Sequence, residues 1–249
     1  MPATKRNSPI VKEPSQLQSA KPIENRILAS LPADEYSRVL RNLEAVHLKK
    51  GTVLYHAKDR VTDCYFPSSG MLSLLSTTEK GETVEVAMVG KEGMIGVPAV
   101  LQMNVTPYEV MVQIESKAMR IKVDLIKKEF SQEGRLQTLL LRYTHSLLCQ
   151  ISQSAVCNSF HTVKQRLCRW LLICRDKSQS DTFSLTQEFI SQMLGTPRTN
   201  VTMTLNSLQQ LGLINYRRGL ITILDWQRAA QYSCECYRVV KKEIDGFYQ

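Results

Sequence analysis

No stretch of the 249-residue chain approaches the roughly 18 consecutive apolar residues that a membrane-spanning helix needs, and runs such as Leu171-Leu172-Ile173 stay short. A helical membrane protein is excluded. The seven cysteines are an odd number with no C-x-x-C pair, and the first 24 residues hold no apolar segment of signal-peptide length. That fits reduced thiols in a cytoplasm better than a disulfide framework. Acidic residues are also in deficit: 23 Asp and Glu stand against 32 Lys and Arg, a net charge of +9. A polyanionic partner is the consequence to test. What remains is ordinary, with 43% hydrophobic and 22% charged residues, and the length admits one large domain or two small ones.

The charge is unevenly placed. Residues 1–24 carry +2, residues 25–160 another +2, and residues 161–249 carry +5. The last third is therefore the part expected to meet the polyanion. The pattern divides the chain into a flexible basic tail (1–23), a β-rich domain with flanking short helices (24–123), a long helix and hinge (124–160), and a C-terminal module ending in a helix (161–249).

Within 46–123, short β-rich runs are punctuated by Lys50-Gly51, Ser69-Gly70, Lys80-Gly81 and Gly90 at the spacing of a small barrel or roll. Leu136, Leu140, Tyr143, Leu147, Ile151 and Ser154 then recur at helical spacing. This apolar face fits a helix packed on its own barrel and a dimer seam equally well.

Ser184-Leu185-Thr186-Gln187 reads as a capping box with Ser184 as N-cap, followed by Phe189, Ile190 and Met193, then Leu194-Gly195-Thr196-Pro197. A second helix carries Val201, Leu205 and Leu208, and residues 213–224 form two short strands around Arg217-Arg218-Gly219. This is a helix-turn-helix with a winged hairpin. The N-terminal part of such a second helix enters the major groove, where Arg reads guanine and Asn reads adenine. The expected base-reading residues are Arg198, Thr199, Asn200, Thr202 and Met203. Thr186, Thr196, Lys164, Arg166, Arg169, Arg217 and Arg218 are expected on phosphates, which position without specifying. Trp170 falls on the apolar face with Val163, Leu167 and Leu171, so it is expected in the core.

The order of β-roll, long helix and winged helix-turn-helix resembles the Crp/Fnr family of bacterial transcription regulators over about residues 24–225. The resemblance is carried most specifically by Leu194-Gly195-Thr196-Pro197-Arg198-Thr199-Asn200-Val201 and by the turn Val89-Gly90-Lys91-Glu92-Gly93-Met94-Ile95-Gly96. It implies an α+β chain with an N-terminal antiparallel, jelly-roll-like β-roll, a long dimerisation helix and a C-terminal winged helix-turn-helix. It also implies a homodimer on a palindromic promoter site, and it tips Leu136, Leu140, Tyr143, Leu147 and Ile151 toward the dimer seam. An effector pocket is implied at Gly93, Ile95, Gly96, Val97, Thr106 and Tyr108. The expected partners are double-stranded DNA and a second copy, with RNA polymerase a further candidate.

The departures from the family are specific. Val97 stands where cyclic-nucleotide-binding members place a Glu. Val105-Thr106-Pro107-Tyr108 stands where they place an Arg-Ser or Arg-Thr pair, and no Arg lies between Arg60 and Arg120. A cyclic phosphate would lack its bidentate partner, so cyclic AMP is not expected. The family's iron–sulfur sensor uses an N-terminal cysteine cluster, and no cysteine precedes Cys64. No metal is expected either, because the cysteine spacings make no motif and Cys234 and Cys236 would sit roughly 200° apart on a helix. Nor is an enzyme, since no nucleophile, base and anion-hole set is present. The alternative kept open is a ligand- or redox-sensing protein, with haem at His145, His161 or a cysteine, acting mainly through protein contacts.

Overall fold

Gly51, Gly70 and Gly81 take φ of 80°, 69° and 86°, backbone that side chains avoid, and at these points the chain turns back on itself to make a roll. The computed structural model describes residues 10–12, 24–246 and 248. It opens with β1 (Ile10–Lys12), α1 (Arg26–Ala29) and α2 (Ala33–Leu40). Then come β2 (Glu44–Leu48), β3 (Val53–Tyr55), β4 (Asp63–Pro67), β5 (Met71–Thr77), β6 (Thr83–Val89), the short α3 (Val97–Val100), β7 (Glu109–Ile114) and β8 (Ser116–Lys122). Two antiparallel four-stranded sheets result, in the orders β1-β2-β8-β4 and β3-β7-β5-β6. Phe66, Leu72, Val112 and Ile121 fill the space between them. Of the expected basic tail, residues 10–12 pair with β2, and the rest lies outside the described residues.

The helical stretch after the roll is divided. α4 (Val123–Phe130) stops at a turn, and α5 (Arg135–Phe160) begins after Gly134. The two carboxylate oxygens of Glu35 accept from Arg135 N at 2.8 Å and Leu136 N at 2.9 Å, which satisfies orphan donors at the start of α5. A Cβ at residue 134 would stand 2.7 Å from that carboxylate, so a side chain there would disturb the cap.

α6 (Val163–Ser178) starts at a true capping box, in which Thr162 and Gln165 bond each other's backbone. β9 (Thr182–Ser184), α7 (Gln187–Leu194), α8 (Arg198–Gln210), β10 (Ile214–Arg217), β11 (Leu220–Ile223), α9 (Trp226–Tyr232) and α10 (Cys236–Gly246) complete the chain. β9 adds to β11 as a third strand of the wing sheet. The N-cap of α7 is Thr186 rather than Ser184, which ends β9 instead. The two modules pack on each other, because Met71, Leu75 and Met88 of the roll belong to the same buried cluster as Leu167, Trp170, Leu171, Phe183 and Ile190.

Candidate nucleic-acid interface and effector cavity

Thr186 Oγ1 accepts from Phe189 N at 3.2 Å, which fixes the start of α7, and Gly195 closes it with φ 54° and ψ 50°. Ser191 Oγ donates to Thr196 O at 2.6 Å and locks the turn. Val201, Leu205 and Leu208 are buried and hold α8 against the module, so its opposite side is fixed in solvent. Arg198, Thr199, Asn200 and Asn206 are exposed there, and Met203 is 70% exposed. Thr202 is half-buried, with its hydroxyl 2.9 Å from Gln187 Oε1 and 3.0 Å from Arg198 O. Asn200 Nδ2 donates to Thr196 Oγ1 at 3.3 Å. In the wing, Arg218 and Gly219 both take positive φ, 50° and 80°, the two-residue turn that matches strand twist and carries Arg217 and Arg218 outward.

Two of the expected phosphate contacts are elsewhere. Arg166 and Arg169 are only 8% and 6% exposed, because the buried face of α6 is wider than its apolar stripe. Arg166 donates to Leu194 O at the carbonyl end of α7, so it completes a helix terminus. Lys164 is half-buried, whereas Thr186 is exposed.

The expected effector residues divide as well. Gly93, Ile95 and Gly96 are packing positions: a Cβ at 93 would stand 2.4 Å from the Tyr143 ring, and one at 96 would stand 2.6 Å from Cys64 Sγ. Ile95 exchanges backbone hydrogen bonds with Tyr65. Val97, Thr106 and Tyr108 do come together, on the wall of an open cavity of about 760 Å³, within the usual range for small-molecule sites. Leu101, Met103, Leu147, Leu148 and Ile151 are among the remaining lining residues, and Lys58 is the one charged lining residue. Burial pushes the Tyr108 hydroxyl up to about 12. No arginine lines the cavity, so its residues do not fit a cyclic phosphate.

The α5 seam is also reassigned. Leu136, Leu140, Tyr143 and Leu147 are buried against the chain's own roll, with Tyr143 Oη donating to Met94 O at 3.1 Å and Ile151 packed alongside. Leu141, Leu148, Ala155 and Val156 form a second apolar strip, which faces solvent, and Leu148 is 57% exposed. The helix is apolar on two sides, and the sequence spacing identified the one its own domain covers.

Three groups at the junction of the modules, Glu85, Glu92 and Lys177, escaped the sequence reading. Trp170, in the core as expected, donates Nε1–H to Glu85 Oε1 at 2.8 Å. Burial pushes the Glu85 carboxyl up to about 7, with Arg169 and Lys177 opposing the shift. Lys177 of α6 pairs with Glu92 of the glycine turn, and both are almost wholly buried. Burial alone would raise Glu92, but the Lys177 ammonium and the Gly90 N–H outweigh it and hold the carboxyl below its ordinary value. The charge alternation in Thr83-Val84-Glu85-Val86 marks Glu85 as a surface residue of a half-buried strand, and only the docking of α6 reverses that.

The cysteines also depart from expectation. α9 ends at Tyr232 and α10 begins at Cys236, so Cys234 and Cys236 do not share a helical turn. The chain folds them onto Cys157 and His161 at the end of α5, and the four ligand atoms lie within 4.8 Å of one another.

A β-roll with a buried glycine turn, joined through a long helix to a winged helix-turn-helix with a polar outward face, defines a DNA-binding regulator. Residues 45–133 match the cyclic nucleotide-binding domain family and residues 165–232 the Crp-like helix-turn-helix domain family. With both domains in this order, the chain belongs to the Crp/Fnr family of transcription regulators. The global nitrogen regulator of Nostoc sp. is 22% identical over 184 residues, which are 70% of this chain and 82% of that protein. Among solved structures, the c-di-GMP-responsive global regulator CLP of Xanthomonas campestris superposes with a TM-score of 0.65 at 14% identity, over 78% of this chain and all of that one. FixK2 of Bradyrhizobium japonicum gives 0.63 at 14% identity, covering 77% of this chain and 98% of that one. Among the described residues no helix is long and apolar enough to cross a membrane.

Proposed function

We propose that the chain works as a homodimer that places two copies of α8 in successive major grooves of a palindromic promoter site, with a small molecule in the roll setting its affinity. The observation that carries this reading is the bare strip of Leu141, Leu148, Ala155 and Val156 on α5, in the chain that also presents Arg198, Asn200 and the Arg217-Arg218 wing. A helix apolar on both sides is stable in water when both sides are covered. Leu148 is also a wall of the 760 Å³ cavity, so a second copy seated on the strip would close that cavity. Ligand and dimer are then coupled through one side chain.

The cavity chemistry supports a largely apolar ligand with at most one acidic group, which would face Lys58. A route to the DNA is at hand, since Thr78, Glu82 and Val84 of the β5–β6 hairpin face Ser191, Gln192 and Thr196 of the helix-turn-helix across a shallow gap. Leu148→Glu tests the dimer. A charge buried unpaired in the seam costs about 3–5 kcal/mol, so sedimentation should report a monomer. Affinity for a two-half-site DNA selected from a random pool should fall at least to that for a single half-site. A variant that stays dimeric and keeps full affinity overturns the reading.

A further inference from the structure

We infer that Cys157, His161, Cys234 and Cys236 form a site for a single zinc ion at the joint between α5 and the DNA-binding module. Three thiols and an imidazole are a recognised tetrahedral zinc set. Around one zinc, with bonds of about 2.3 Å to sulfur and 2.0 Å to nitrogen, neighbouring ligand atoms stand about 3.5–3.8 Å apart. Here Cys157 Sγ and Cys234 Sγ are 3.5 Å apart, and so are Cys236 Sγ and His161 Nδ1. All four atoms lie within 4.8 Å of one another, which suits one ion and is too compact for thiolates held on separate irons of a cluster.

The surroundings are those a metal ligand set requires. His161 directs its other ring nitrogen, Nε2, to Glu235 Oε1 at 3.2 Å, the carboxylate–imidazole arrangement that orients a metal-bound histidine. Gln153 Nε2 donates to Cys236 Sγ at 3.0 Å, a bond that favours a thiolate acceptor. The three cysteines are buried and form a cluster of their own, apart from the two large apolar cores. Beside them lie Arg166 and Arg169, both buried, and the Nε of each has no hydrogen-bond partner. Three thiolates and one Zn²⁺ sum to one negative charge, which suits a position beside two buried guanidinium groups. The ligands come from the last turn of α5, the joint after it, the link between α9 and α10 and the start of α10, so an ion here ties the C-terminal helix to the point where the DNA-binding module leaves the long helix.

The test is Co²⁺ titration of the full-length, reduced, chelator-stripped protein. We expect one Co²⁺ per chain, the sulfur-to-metal charge-transfer band and intense visible bands of a tetrahedral thiolate site, and their loss on adding one equivalent of Zn²⁺. Cys157→Ser and Cys234→Ser should each lower the charge-transfer intensity and weaken the metal by at least about tenfold, and Glu235→Gln by about tenfold while keeping the spectrum. Cys149→Ser should change nothing. Among the described residues the other compact group, His145, Cys149 and Glu243, offers only one sulfur, so a site that responds to Cys149→Ser and not to Cys157→Ser overturns the inference. A wild-type spectrum without thiolate charge transfer also overturns it, whether or not the serine variants fold.

Discussion

Within residues 161–249, two sets of charged side chains have opposite fates. Arg198, Arg217 and Arg218 stand in solvent on the recognition helix and wing, whereas Arg166, Arg169 and Lys177 are buried along α6. The local +5 therefore overstates the charge that DNA could meet, because three of its cations serve the inside of the molecule. Composition assigns the excess to a region, and burial decides which charges attract a partner. The buried set should control stability and module docking, and the exposed set should control binding alone.

Breaking the buried set should give the largest effects. Lys177→Met leaves Glu92 as an uncompensated buried carboxylate, and losing one partner of such a pair costs about 3–5 kcal/mol in urea unfolding at neutral pH. Lys177→Met with Glu92→Leu should recover most of that loss, because replacing both partners by apolar groups removes the stranded charge. If the double variant is as unstable as the single one, the pair is not what holds α6 to the glycine turn.

Glu85 should come next, through pH. Its folded value of about 7 lies above the ordinary 4.5, so the folded chain holds a proton between those limits that the unfolded chain has released. Its contribution is full below pH 4.5 and is lost as pH rises through 7, a change of the order of 3 kcal/mol. Glu92, held low, works in the opposite sense: its contribution is present above 4.5 and is lost only in stronger acid. Glu85→Gln keeps an acceptor for the Trp170 N–H and removes the titration. The variant should be more stable than wild type at pH 8 and should lose the decline between pH 5 and 7. Unfolding curves with the same pH slope in both proteins would rule Glu85 out.

The same contrast explains what could be seen in the sequence. The roll strands, the glycine turns, the helix-turn-helix and the wing were legible because each rests on local signals: alternation, a positive-φ glycine, an apolar face three or four residues apart. Which surface covers the apolar face of α5, the burial of Arg166 and Arg169, and the pairing of Lys177 with Glu92 were not, because each depends on which module docks where. The cysteines show both sides at once. Cys234 and Cys236 look too far apart on a helix until the break before α10 brings both onto Cys157, and nothing in their own spacing reports that break.

The exposed set should act on DNA and leave stability within about 0.5 kcal/mol, as surface substitutions usually do. Arg198→Ala should cost about 1–3 kcal/mol on the selected operator and far less on random DNA, which is the signature of a contact to a base edge. Equal losses on both would move Arg198 to the phosphate class.

Arg217→Ala should be the smallest change and the most diagnostic. A wing arginine on a phosphate carries no sequence information, so operator and random DNA should weaken by the same factor. Each phosphate contact contributes about 0.9 to the slope of log affinity against log salt, and the variant's slope should be shallower by about that amount on both DNAs. Measured at two or more salt concentrations, this separates the wing from α8 even if the two arginines cost similar energy under one condition. A variant slope equal to wild type would mean that the C-terminal third makes its phosphate contacts without Arg217.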